Sequence, residues 1–177
     1  MHADCKMENG DRSLFQSMTD IPQPGQVAPS FTASNQDGCQ VSLADFAGQW
    51  LILYFYPKDD TPGCTTEAKD FSEYTQEFSD LGAQVVGVSV DSQQSHGKFI
   101  AKHNLSVILL SDPEHQVADA YGAWRLKKFM GKEYMGVERS TFAIAPDGTI
   151  AHTWAKVKAK GHAIAVLNRL RELATKS

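Results

Sequence analysis

Cysteine is scarce in this chain: Cys5, Cys39 and Cys64 are the three in 177 residues, far apart and odd in number. That excludes the disulfide framework of a small secreted domain and leaves reduced thiols as the default. No Cys-x-x-Cys or His-x-x-x-His pair sets two ligands on one turn or helix face, so no metal is expected despite six histidines. No stretch approaches the length of apolar sequence that spans a bilayer, and the first residues lack the apolar centre and cleavage pattern of a secretory signal. Surplus positive charge is missing too: 17 Lys and Arg against 21 Asp and Glu give a formal charge of -4, no footprint for nucleic acid or an anionic membrane. Neither Gly-x-Gly-x-x-Gly nor Gly-x-x-x-x-Gly-Lys occurs, so no nucleotide or other organic cofactor is expected. What remains is one soluble, cytoplasmic domain with a sizeable core and a small substrate.

The residues that are present are strongly patterned. Residues 1–21 are polar, mixed and without apolar period, and are expected to be a mobile extension ahead of a domain at 22–177. Asn35-Gln36-Asp37-Gly38 separates short runs around Phe31 and Val41–Leu43, the composition of a hairpin turn with positive φ at Gly38. Trp50 to Tyr56 is a continuous apolar run stopped by Pro57, which predicts a central strand buried on both faces. Ala68, Phe71, Tyr74, Phe78 and Leu81 recur at helical steps up to a cap at Gly82, which puts Cys64 at a helix N-terminus. Strands at Gln84–Val90 and Val107–Leu110 alternate with helices at Ser92–His103 and Pro113–Tyr121. Ser140–Ala145 and Thr149–Trp154 flank Pro146-Asp147-Gly148 as an antiparallel hairpin, and a last helix sets Ile164, Leu167, Leu170 and Leu173 on one face. The alternation is α/β. Its order is that of a thioredoxin-like fold with an N-terminal β-hairpin extension, a central mixed sheet flanked by helices, and an elaboration between Val107 and Val137.

The chemistry concentrates where the central strand meets the helix, at Pro57-Lys58-Asp59-Asp60-Thr61-Pro62-Gly63-Cys64. A thiol reacts with an electrophilic oxygen only as thiolate, and the unpaired N–H groups of a helix start favour that anion. Pro57 stiffens the loop and limits its access to water, while Pro62 and Gly63 allow a sharp turn and a close backbone approach. Thr61 is placed to set its hydroxyl beside the sulfur. Cleavage of an O–O bond moves negative charge onto the departing oxygen, and an arginine is the natural supplier of fixed positive charge there. Arg139 opens a strand that can return beside Pro57, whereas the other arginines lie in the tail, a connection or the last helix. Glu67, one turn beyond Cys64, is placed to hold the arginine's fork without touching substrate. A lone cysteine is more often a small buried hydrophobe, and Arg139 and Glu67 alone would be ordinary surface charges. Their relation to Cys64 gives them weight.

The pattern Pro57-x-x-x-Thr61-x-x-Cys64 resembles the active-site signature of peroxiredoxins. Tyr54–Cys64, Ser111–Val117, Phe129–Lys132 and Glu138–Phe142 are similar to the bacterioferritin comigratory protein (PrxQ) subfamily, over about Gly25 to Leu173. The resemblance implies a thiol-dependent peroxidase. In it Pro57, Thr61, Cys64 and Arg139 form the peroxide site, and the cysteine cycles through sulfenic acid. Thioredoxin, glutaredoxin with glutathione, or another external thiol returns it to thiol, and a monomer is the commoner form. Many members carry a resolving cysteine five residues after the first, where this chain has Lys69; others carry it in the next helix, and Ser92–His103 contains none. Cys39, beside its turn, and Cys5, on the extension at about millimolar effective concentration, are the candidates left for an internal disulfide. Direct reduction by an external thiol is the preferred expectation, and with it sensitivity to over-oxidation by excess peroxide.

Two other classes fit less well. A thioredoxin-like disulfide reductase needs a second thiol near the helix start, which Thr65, Thr66 and Glu67 do not supply. A non-enzymatic holdase or interaction module would use an exposed apolar surface and leave Cys64 incidental. The histidines His96, His103, His115, His152 and His162 show no recognisable partner and read as surface or structural residues, and Trp124 and Tyr134 are candidates for lining the substrate mouth.

Overall fold

The structure, a computed structural model, describes residues 20–176. The expected N-terminal extension lies outside them except for Asp20 and Ile21, and so does Cys5. Ile21 already packs against the core, and the carbonyl of Pro22 accepts a hydrogen bond from Thr153.

The centre is β3, Trp50–Phe55, every residue of which is buried. It pairs in parallel with β4 (Ala83–Ser89) on one side and antiparallel with β8 (Ser140–Ile144) on the other. Outward from β4 come β5 (Ile108–Ser111), β1 (Thr32–Asn35) and β2 (Gln40–Ser42); beyond β8 comes β9 (Ile150–Trp154), completing a mixed seven-stranded sheet. The period of two in β3 sorts its side chains into two cores. Trp50, Ile52 and Tyr54 face α1 (Pro62–Glu73), α3 (Gln93–His103) and α5 (His162–Thr175) through Phe71, Phe99 and Leu167. Leu51, Leu53 and Phe55 face the other way, toward Phe31, Phe142 and Tyr121 beyond α4 (Gln116–Ala120). Each such residue, fully buried, contributes about 1.5–3 kcal/mol.

Gly87 of β4 is a place where only glycine fits: a Cβ there would stand 2.6 Å from the ring of Tyr54. The room it leaves lets Tyr54 stack on Phe71 of α1 at 4.7 Å, tying the helix that carries Cys64 to the middle of the sheet. The β1–β2 turn has Gly38 at φ 81, as its composition predicts, and Asn35 Oδ1 accepts from the N–H groups of Asp37 and Cys39.

Two expectations are corrected, and the elaboration expected between Val107 and Val137 takes a form the sequence did not show. The helix read through Ala68 to Leu81 is two helices, α1 and α2 (Thr75–Asp80), parted at Tyr74. Thr75 turns its hydroxyl back onto the carbonyls of Phe71 and Ser72, a local bond that competes with the helical ladder. On α5 the buried face is Ala163, Val166, Leu167 and Leu170, while Ile164 is exposed; one residue is 100° of helix turn, enough to carry Ile164 off the stripe. The segment between Val107 and Val137 holds a second sheet, the hairpin of β6 (Trp124–Phe129) and β7 (Lys132–Val137). Its turn is Met130-Gly131, both at positive φ, and the Met in place of the usual Asn hides the turn from a composition reading. Among the described residues no helix is long and apolar enough to cross a membrane, and no group of three His, Cys, Asp or Glu side chains is gathered as for a metal.

Candidate active site

The chain leaves β3 through Tyr56 and Pro57, crosses the loop 58–61, and enters α1 at Pro62, where a missing N–H costs nothing. The helix makes its first bond from Thr65 N–H to the Thr61 carbonyl, 2.8 Å, so the N–H groups of Gly63 and Cys64 have no acceptor within the helix. Cys64 is 2% exposed. Its sulfur lies over the junction between the helix start and the first residues of β8.

The antiparallel register explains the next step. Phe55 pairs with Ser140, so Arg139, one residue earlier, emerges level with the end of β3. One arm of its guanidinium donates from Nη2 to Cys64 Sγ at 3.3 Å, and the other from Nη1 to Glu67 Oε1 at 2.7 Å. Gly63 makes the approach possible, because a Cβ there would meet Nη2 at 3.2 Å. Burial pulls the Arg139 guanidinium down, and the opposing charges of Glu67 and the Cys64 sulfur more than offset it, so the group is held above its ordinary value. Glu67 is wholly buried, with Oε2 unpartnered; burial raises its carboxyl to about 7 against the pull of Arg139. The Tyr54 hydroxyl is likewise buried without a partner, and burial followed by the charges of Glu67 and Cys64 holds it far above its usual value, hence neutral.

Thr61 stands in the same loop, but its hydroxyl donates to the Lys58 carbonyl at 2.9 Å rather than to the sulfur. With its single proton committed, Oγ1 is left as an acceptor. Pro57 is half-buried at the loop's start. Cys39 is exposed and Cys64 buried, both as free thiols. Cys39 lies just before β2 at the end of the β1–β2 turn, where the adjacent Gly38 faces the Gln93 side chain at the start of α3. Trp124 stacks on His115 at 4.0 Å at the base of the β6–β7 hairpin, and Tyr134 is exposed further along it.

All five histidines read as lacking partners have them, His103 on Asp60, His115 on Trp124 and His152 on Arg169, and the other two are buried. His96 is fully buried on α3, its Nδ1 2.7 Å from Asp59 Oδ2 and its Nε2 2.9 Å from the Leu110 carbonyl. A carbonyl only accepts, so Nε2 carries a proton and Nδ1 faces the carboxylate. Asp59 also accepts from Tyr56 and Ser95, and its neighbour Asp60 binds Lys102 and His103. Both carboxylates of the loop are thus fastened to α3. His162, at the start of α5, meets Thr141 at 2.7 Å; burial and then Arg139 lower it to about 4, so it is neutral at ordinary pH. The signal for His96 was its step of three to Phe99, which places it on the helix's buried face.

The comparisons with known proteins agree in kind. The profile of the AhpC/TSA family matches residues 24–153. Peroxiredoxin Bcp of Bacillus subtilis is 50% identical over 152 residues, 86% of this chain and 97% of its own length. Peroxiredoxin Bcp of Escherichia coli is 43% identical over 85% of this chain and 96% of its own. Among solved structures, the bacterioferritin comigratory protein of Xanthomonas campestris, described for its alkyl peroxide reduction activity, superposes with a TM-score of 0.80 at 42% identity, covering 87% of this chain and 98% of that one. A cysteine-to-serine variant of PrxQ from Xylella fastidiosa gives a TM-score of 0.83 at 36% identity, over 88% and 99%. Sequence likeness at this level, shared with proteins whose whole length it spans, means that the chain belongs to the AhpC/TSA family, as a peroxiredoxin of the Bcp/PrxQ group.

Proposed function

We propose that Cys64 is the residue with which this thiol-dependent peroxidase attacks hydrogen peroxide and organic hydroperoxides. The observation that carries the reading is the Arg139 guanidinium, donating to the sulfur with one arm while Glu67 fixes the other. The Cys64 thiolate takes the nearer peroxide oxygen, the O–O bond breaks, and the departing oxygen leaves as water or an alcohol once protonated. Arg139 supplies positive charge to the sulfur and to that departing oxygen, an interaction strongest in the transition state. Thr61 accepts from the peroxide O–H, Pro57 shields the loop, and Glu67 positions Arg139. Organic hydroperoxides are included because the related Xanthomonas protein is described for alkyl peroxide reduction.

The sulfenic acid is returned to thiol from outside. Lys69 stands where many members of the family it resembles have their second cysteine, α3 has none, and Cys39 is a free, exposed thiol beside the β1–β2 turn. Thioredoxin, or glutaredoxin with glutathione, serves as reductant of a cytoplasmic, monomeric enzyme. Peroxide consumption with a thiol reductant in excess tests the reading. Cys64→Ser is expected to abolish it and Arg139→Ala to slow it by about 10²–10³-fold. Unchanged consumption by Cys64→Ser would sink the assignment.

A further inference from the structure

The surface beside the sulfur carries charge that the peroxide chemistry does not use. Between β9 and α5 the chain reads Lys156-Val157-Lys158-Ala159-Lys160-Gly161-His162, with all three lysines exposed. The residues between them face inward. Val157 N–H donates to the Arg139 carbonyl at 2.9 Å, and the Ala159 Cβ lies 3.9 Å from where a Cβ on Gly63 would stand. Lys158 and Lys160 therefore flank a residue that lies beside Gly63, the neighbour of Cys64, and Lys156 is one residue from the backbone bond to Arg139. The loop is held in shape as well: Lys156 adopts φ 52, a left-handed conformation that costs energy for any residue with a side chain.

None of the three lysines has an ion-pair partner among the described residues, and Lys58, exposed on the other flank of the loop before Cys64, has none either. The nearby acids are committed elsewhere: Asp59 to His96, Asp60 to Lys102 and His103, Glu67 to Arg139. Glu138, half-buried beside Arg139, offsets one charge at most. On a chain of formal charge -4, the rim of the reactive sulfur is positive.

We infer that Lys156, Lys158 and Lys160 form a docking platform for a protein thiol reductant whose reactive thiol is ringed by acidic residues. The inference rests on the peroxidase reading above. Three lysines over four residue steps reach up to about 13 Å, wider than a small thiol and suited to a protein rim. Complementary charge raises the encounter rate and orients the approach, and does so less as salt rises. The chemistry it serves is balanced by the partner's two thiols. The first attacks the Cys64 sulfenic sulfur, whose oxygen leaves as water, forming a mixed disulfide. The second attacks that disulfide from the partner's side, releasing Cys64 as thiol and leaving the partner oxidised.

The test separates the two half-reactions. Wild type and the K156E/K158E/K160E triple variant are oxidised with one equivalent of hydrogen peroxide, and each is then mixed with an acidic bacterial thioredoxin or with dithiothreitol. The triple variant is expected to oxidise at the wild-type rate and to react with dithiothreitol within twofold of it, while its rate constant with thioredoxin falls at least tenfold at low salt. The difference should shrink several-fold at high salt. An unchanged thioredoxin rate, or an equal fall with dithiothreitol, overturns the platform. A wild-type protein that peroxide does not oxidise overturns the peroxidase reading beneath it. Lys→Ala at the same three positions, expected to give an intermediate fall, guards against a folding defect from the added acids.

Discussion

Glu67 has no exposed surface, one oxygen on Arg139 and the other without a partner. Burial lifts its carboxyl from 4.5 to about 7, so the folded state binds its proton more tightly than the unfolded chain does. Stability from this group is therefore full below pH 4.5 and is lost as pH rises through about 7. His162, lowered from 6.5 to about 4 by burial and Arg139, acts in the opposite sense, its stability being lost as pH falls from 6.5 toward 4. Comparison with Glu67→Gln isolates the carboxylate, since His162 is common to both and the amide oxygen can still accept from Arg139. The urea midpoint of wild type is expected to drop relative to the variant between pH 5 and pH 8; a constant difference would show that Glu67 does not titrate in that window. Sequence spacing alone made Glu67 legible as a neighbour of the arginine, one turn from Cys64. Its complete burial was not, because that depends on how the rest of the fold closes over α1.

At the scale of elements, α3 is the clamp on the reactive loop. Asp59 and Asp60 lie next to each other in the loop, and both reach back to α3, one to a buried histidine and one to an exposed Lys–His pair. Removing His96 takes a hydrogen-bond partner from a buried carboxyl, so His96→Ala is expected to destabilise the fold by about 2 kcal/mol in urea titration. It should also slow peroxide consumption, since Thr61 is fixed through the Lys58 carbonyl beside Asp59. A loss below about 1 kcal/mol with full activity would mean that the clamp is ornamental. The clamp was hidden in the sequence because its halves are 37 residues apart and Asp59 reads as an ordinary loop acid. The strands of the seven-stranded sheet and most helix limits were legible because burial enforces periods of 2 and 3.6. The α1–α2 break and the Met130-Gly131 turn were not, since each depends on one residue doing what its type seldom does.

Across the whole molecule, a mixed sheet with a core on each face presents one edge of chemistry, the ends of β3 and β8 where α1 begins. The motif Pro57-x-x-x-Thr61-x-x-Cys64 could be read before any fold, and Arg139 could be picked out as the arginine that opens a strand, which the pairing of Ser140 with Phe55 sets level with the end of β3. The positive rim could not, because Lys156–Lys160 looks like a solvated linker until the Val157 bond to Arg139 and the approach of Ala159 to Gly63 place it. The most direct check on the central claim is to add one equivalent of peroxide to the reduced protein, trap sulfenic acid chemically, and read intact mass and peptide maps. The account predicts the trapped adduct on Cys64 with Cys39 still a free thiol, and no adduct in Cys64→Ser. Peroxide left unconsumed with Cys64 unmodified would contradict it.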